Sequence, residues 1–493
     1  MRPSISSFRP FALLLLLIPF LNGCSDKTPS EKTAIQEPKQ TTQATEATAE
    51  NLLAKAQQAA VDYSLGDQRI ARASEYFEQV LKSGRTAEHL LDYAEFLRAN
   101  NQYREAENLY NEALTSYRQL TKGNPAAYTL TIAGILSDLG IVVSADSQRR
   151  EEAEALFREA LTNYRQLAQG VSKDVDFVVI DPDQSELMHP TVYISFVAMT
   201  LNNLAILVAA DSQRREEAEA LYREVLAIYR QMPTAIQPAY AHAVATALSN
   251  LGNLVANNSQ RGDEAEALFR EALVSYRQLA EDKPEVYLPD VAIALNNLGN
   301  LVKKDSQRSD EAETQYREAL DIRRQLAKNN PDVYLPAVAT TLSNLGTVVA
   351  TNSQRLKEAE ALYTEALTIQ RPLAQYNPVV YQPALAATLH NLGNLVSADN
   401  QRREKAKAFY TEALDIYRPL VQYDPAVYQP EIAETLWVFG SAYLDWDEPT
   451  QALPLLQESA ELFAPLVQKD PGVFGSHYQQ VLQLLEQASP AKP

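Results

Sequence analysis

Ala359, Leu362, Tyr363, Ala366 and Leu367 stand at i, i+3, i+4, i+7 and i+8, with polar residues between them. That spacing gathers five apolar side chains on one stripe of an amphipathic helix. A second apolar pattern runs from Tyr381 to Val396, just after Pro378. Proline suits a helix start and not a helix interior, so a new helix is expected there. With a short polar Asn-Ser-Gln-Arg loop, the two patterns read as a helix-turn-helix unit. The unit recurs: Ser-Gln-Arg begins at Ser212, Ser259, Ser306 and Ser353, and Asn-Gln-Arg at Asn400, each 47 residues after the last. The copy at Ser147 lies 65 residues before Ser212, which is one period plus an insertion of 18. Tyr128, Tyr193, Tyr240, Tyr287, Tyr334, Tyr381 and Tyr428 keep the same register. A fixed period of this kind signals units that bury their apolar faces only against neighbours.

Gly140, Gly252, Gly299, Gly346, Gly393 and Gly440 share one repeat position, taken by Ala205 in the remaining unit. Glycine inside a helix costs about 1 kcal/mol relative to alanine, so a close helix approach is expected to offset it. The run Leu-Asn-Asn-Leu-Gly-Asn-Leu-Val from Leu295 to Val302, followed by Ala312, Tyr316 and Ala319, resembles the tetratricopeptide repeat. Residues 86–124, with Ala94 twelve positions before Ala106, resemble its standard form more closely. The 47-residue copies lengthen the second helix and the following loop and are similar to the long repeats of kinesin light chains and their bacterial relatives. The resemblance implies an all-α, right-handed superhelical solenoid of about nine helix-turn-helix units and a C-terminal capping helix. Residues 51–127 would hold the N-terminal units, 128–473 the array of 47-residue units with an insertion at about 171–188, and 474–493 the capping helix and tail.

The beginning of the chain reads differently. Arg2 and Arg9 precede and flank an apolar run from Phe11 to Leu21, too short to span a bilayer as a helix and suited to an export signal. Leu21-Asn22-Gly23-Cys24 resembles the bacterial lipobox, and Cys24 is the single cysteine of the chain. The resemblance implies a lipoprotein signal peptide over residues 1–23 and acylation of Cys24, with palmitate among the acyl chains. Residues 24–50 are rich in Thr, Gln, Glu and Ala and hold one strongly apolar side chain beyond the cysteine, Ile35. Such a composition cannot offset chain entropy by burial, so a lipidated flexible tether is expected. Ser25 after the cysteine favours the outer membrane over the inner one by resemblance to enteric-type lipoproteins.

Composition narrows the chemistry. Lys and Arg number 44 against 63 Asp and Glu, a net charge of −19, which opposes any electrostatic hold on nucleic acid. His89, His189, His242, His390 and His477 are scattered without the spacing of a metal site. The 15 glycines form no phosphate loop, and no nucleophile-turn motif occurs. Asp181, Asp183 and Glu186 lack the central glycine and closing glutamate of a calcium loop. No enzyme activity and no cofactor are expected. The insertion, the one long departure from the period, is the kind of loop that often carries function.

What is left is surface. The series Arg118, Arg165, Arg230, Arg277, Arg324, Arg371 and Arg418 reads either as an anion ladder or as a solvated face exchanging weak salt bridges with glutamates. The register tyrosines read as packing residues. In the first helix of a unit, Leu295, Leu298 and Val302 form the apolar stripe, and Asn296 and Asn300 are rotated away from it. By resemblance these are groove-lining positions. Across units the two columns are Asn202, Ser249, Asn296, Ser343, His390 and Trp437, then Ile206, Asn253, Asn300, Thr347, Asn394 and Ser441. Amides there can both donate to and accept from a peptide backbone, and Lys303 and Lys304 would anchor a carboxylate. Asn203, Asn250, Asn297, Asn344 and Asn391 fit either a structural or a ligand-facing role. The expected protein is a membrane-anchored interaction scaffold of the bacterial cell envelope, facing the periplasm, whose concave groove binds an extended segment of another envelope protein. A periplasmic sensor or regulator of a small peptide or cell-wall fragment is the alternative.

Overall fold

A computed structural model describes residues 40–61, 68–122, 125–170 and 190–489. Among them are nineteen α-helices and no strand. The helices are α1 (Gln40–Val61), α2 (Gln68–Ser83), α3 (Ala87–Ala99), α4 (Tyr103–Leu120), α5 (Pro125–Val143), α6 (Arg150–Gly170), α7 (Pro190–Ala209), α8 (Arg215–Gln231) and α9 (Ala241–Val255). They continue as α10 (Gly262–Asp282), α11 (Pro284–Val302), α12 (Ser309–Asn329), α13 (Pro331–Val349) and α14 (Leu356–Tyr376). The last five are α15 (Pro378–Ser397), α16 (Arg403–Tyr423), α17 (Pro425–Asp445), α18 (Pro449–Lys469) and α19 (Pro471–Ala488). The chain divides into two compact units, Met1–Asn257 and Asn258–Pro493. Within each, every helix packs on the next in chain order, as in a repeat solenoid.

Local chemistry sets the helix ends. Pro284, Pro331, Pro378 and Pro425 occupy the first turn of α11, α13, α15 and α17, where the missing N–H costs nothing. Contrary to the expectation that proline stays out of helix interiors, Pro289, Pro336, Pro383 and Pro430 lie inside the same four helices. Each sits only one turn beyond the first proline, so one hydrogen bond is lost near an end and packing offsets it. α1 begins at Gln40, so residues 40–50, expected in the tether, are helical. Cys24 and the insertion at 171–188 lie outside the described residues. α7 is long and apolar enough to cross a membrane, but 72% of its apolar window is buried inside the protein, as befits a core helix.

The recurrent Ser-Gln-Arg triplet is the turn between the two helices of a repeat, and its arginine reaches back to the repeat before. Asp305 accepts a hydrogen bond from the backbone N–H of Gln307 at 2.9 Å and opens a 3₁₀ turn over Ser306–Arg308. Asp146, Asp211, Asn352 and Asp399 do the same in their own units. The turn aims Arg308 at Glu266, 42 residues earlier, through a fork of 2.7 and 2.8 Å, and also at Glu311. Arg214 grips Glu154, and Arg355 grips Glu313, in the same way. These hydrogen bonds hold the Glu154, Glu266 and Glu313 carboxyls far below their usual range, at about 2, against a smaller opposing effect of burial.

The arginine series forms salt bridges rather than an anion ladder. Arg118 reaches Glu159, Arg277 reaches Glu318, and Arg324 reaches Glu365, each across 41 residues, at 2.5 to 2.7 Å. Arg165 reaches Glu224 across 59. The excess is the 18-residue insertion, so α6 and α8 keep the packing of an uninterrupted repeat. All these partners are well exposed, and each pair contributes little alone.

The shared glycine position is a close approach. A Cβ on Gly140 would stand 2.7 Å from the Phe157 ring, and one on Gly299 would stand 2.9 Å from the Tyr316 ring. Both rings belong to the second helix of the same unit and are almost wholly buried.

Candidate functional site

Each first helix of the second unit is flanked by its own second helix and by neighbouring repeats, so only a narrow strip faces solvent. On α11 that strip is Ile293, Asn297, Asn300 and Lys304, spaced i, i+4, i+7 and i+11, with Ile293 and Lys304 exposed and the two amides half-buried. On α13 it is Thr340, Asn344 and Thr347, and on α15 it is Asn391 and Asn394. The first unit repeats the pattern with Asn203 on α7 and Asn250 and Asn253 on α9.

This differs by one residue from the face expected of the first column. Asn202, Ser249, Asn296 and Ser343 are 3 to 8% exposed and therefore buried, not groove-lining. Their side chains face adjoining repeats: Asn296 Oδ1 accepts from Asn344 Nδ2 at 3.2 Å, and Asn202 Oδ1 accepts from Asn250 Nδ2 at 3.3 Å. Ser343 Oγ accepts from Thr388 Oγ1 at 3.1 Å. His390 pairs its Nδ1 with Thr435 Oγ1 at 3.0 Å, and burial pushes its pKa down while Glu434 pulls it up. Trp437 packs in the C-terminal apolar cluster around Phe463 and Val481, 5.3 Å from the His477 ring. Of the lysines, Lys304 is exposed, while Lys303 is half-buried and its amine is shifted down by burial.

The second column holds its place except at Ile206, which is buried. Asn253 and Asn394 are exposed, and Asn300 and Thr347 are half-buried. Asn300 Oδ1 accepts from the Tyr316 hydroxyl at 2.7 Å, and Thr347 Oγ1 accepts from the Tyr363 hydroxyl at 3.1 Å. The side chains of Asn203, Asn297, Asn391 and Asn394 make no hydrogen bond to the described residues. Asn297, Asn391 and Asn394 therefore keep amide donor and acceptor free along the first helices of the second unit, and Asn203 does so in the first unit. The column one residue after the expected one is thus both structural, through Asn250 and Asn344, and available to a ligand.

A model of the tetratricopeptide repeat matches residues 243–325 and 290–372, and a second matches 197–232. Over these residues the chain is built of tetratricopeptide repeats, the architecture of a protein-interaction scaffold. Its structure is similar to BtubC of P. vanneervenii, with 21% identity over 55% of this chain and 92% of the other and a TM-score of 0.40. It is also similar to a signal-transduction ATPase with a tetratricopeptide repeat sensor from Pyrococcus horikoshii: 11% identity, 92% of this chain, 56% of the other, TM-score 0.49. A Rap protein complexed with competence and sporulation factor is similar at 12% identity, over 82% of this chain and 99% of the other, with a TM-score of 0.44. A sequence search of curated proteins finds no match.

Proposed function

We propose that the protein is a lipid-anchored scaffold of the bacterial cell envelope that holds an extended segment of a partner protein along the asparagine face of its first helices. The observation that carries the reading lies within the second unit, where the amides of half-buried Asn297 and Asn391 and of exposed Asn394 have free hydrogen-bonding groups. An extended backbone presents alternating N–H and C=O groups, and a primary amide answers both. The lipobox-like Cys24 and the polar stretch after it support attachment to the outer membrane on the periplasmic side. No catalytic role is assigned.

A photo-crosslinking residue at Asn297 or Asn394, introduced into the membrane-attached protein in cells, tests the reading. Crosslinks from both positions should map to one continuous segment of one partner, while Asn296, buried, should yield none. Equal labelling from Asn296, or crosslinks only from the opposite helices, would refute it. Asn297→Ala combined with Asn300→Ala should weaken the captured complex by about 0.5 to 1.5 kcal/mol per lost hydrogen bond.

A further inference from the structure

In the seven second helices from α4 to α16 there is a residue pair whose second member is the arginine of the salt-bridge series. Its first member is a buried tyrosine in α10 and α16, Tyr276 and Tyr417, at 4% and 2% exposure. In α12 and α14 the equivalents are Arg323 and Gln370. Both remain buried, at 7% and 3% exposure. The neighbouring Arg324 is paired with Glu365 at 2.5 Å, but Arg323 has no carboxylate partner among the described residues.

The Arg323 guanidinium is only half used. Its Nη1 donates to the Ala337 carbonyl at 3.1 Å and to the Thr341 hydroxyl, both on α13. Nε and Nη2 have no partner among the described residues, yet neither belongs to the fully enclosed polar atoms, so both reach solvent-accessible space. Next in the array, Gln370 Oε1 is enclosed and unpartnered. Burying an unpaired charge is costly, and a tyrosine at this site would avoid the cost, as it does two helices before and four after. Burial alone shifts the guanidinium, down to about 10, so it stays charged at neutral pH.

We propose that Arg323 is a binding site for a carboxylate from outside the chain, received by Nε and Nη2 in the side-on fork that arginine makes with carboxylates. The carboxylate belongs either to an acidic side chain of a bound polypeptide or to a free small acid. The site is independent of the asparagine face, so either can fail without the other. Arg323→Tyr restores the residue of α10 and α16 and keeps the fold, and Arg323→Gln copies α14.

The test is the melting temperature of the full chain in chloride and in succinate at equal ionic strength, and with a capped peptide bearing one glutamate or its glutamine counterpart. The wild type is expected to melt several degrees higher with a carboxylate probe, and both variants to lose that gain. A gain with succinate assigns a free acid, and a gain with the glutamate peptide alone assigns a polypeptide. No gain with either probe, or a gain that survives in Arg323→Tyr, overturns the proposal.

Discussion

Alanine at Gly299 sets two effects of known size against each other. Glycine to alanine within a helix stabilises by about 1 kcal/mol through propensity. The new methyl would stand 2.9 Å from Tyr316 Cε1 and 3.0 Å from Cζ. Ordinary carbon contacts lie at about 3.5 to 4.0 Å, so the ring must retreat by half an ångström or more. It has nowhere to go, because Tyr316 is fully buried and its hydroxyl is tied to Asn300 Oδ1 at 2.7 Å. Overpacking of a dense core costs about 1 to 3 kcal/mol and loss of that hydrogen bond about 1 more. Gly299→Ala should therefore destabilise by about 1 to 3 kcal/mol net. Gly262, the first residue of α10, has nothing within 4 Å of its ideal Cβ. There alanine should be neutral or stabilising by up to about 1 kcal/mol. Urea unfolding followed by far-ultraviolet circular dichroism compares the two variants at constant slope. A Gly299→Ala midpoint at or above that of the wild type would refute the close-packing account of the glycine column.

Three further outcomes are expected. Glu154, Glu266 and Glu313 have folded-state values near 2 against an ordinary 4.5, so the stability they contribute is present above about pH 4.5 and lost as the pH falls toward 2. With their arginine partners a third exposed, the loss is on the order of 1 kcal/mol per clamp, and Arg308→Gln should flatten the melting-temperature profile between pH 5 and 2. Deletion of residues 171–188 should move the melting temperature by no more than a few degrees, because the Arg165–Glu224 bridge already spans the insertion without a change of packing; a larger fall would show that the segment packs on the repeats. Labelled palmitate should enter the wild type and not Cys24→Ala, and equal labelling of both would end the lipid-anchor proposal.

The repeat architecture was open to sequence reading because its causes are local and recur. Apolar spacing of three and four, a proline at each first turn and a polar capped turn every 47 residues specify helix, start and joint without reference to the rest of the fold. The glycine column was legible for a related reason: a residue that costs helix stability at the same place in six units must be answered by something large nearby, and Tyr316 and Phe157 are those answers. The arginine series was legible too, but the residue before each arginine, tyrosine in most copies and Arg323 or Gln370 in two, stood out only once its burial was seen.

Burial and partner choice were decided only in three dimensions. Successive residues on a helix differ by about 100°, so the choice between Asn296 and Asn297 depends on how closely neighbouring repeats crowd each first helix. The repeats lie close enough to bury Asn296 at 3% exposure against Asn344. The solvent strip narrows and shifts one residue onward. The same crowding turned the Ser-Gln-Arg marker into a clamp, since an arginine and a glutamate 42 residues apart meet only when one unit is stacked on the next. It also left Arg323 without a counter-ion among the described residues, because its surroundings are set by the helix packed against it and not by its neighbours in the chain.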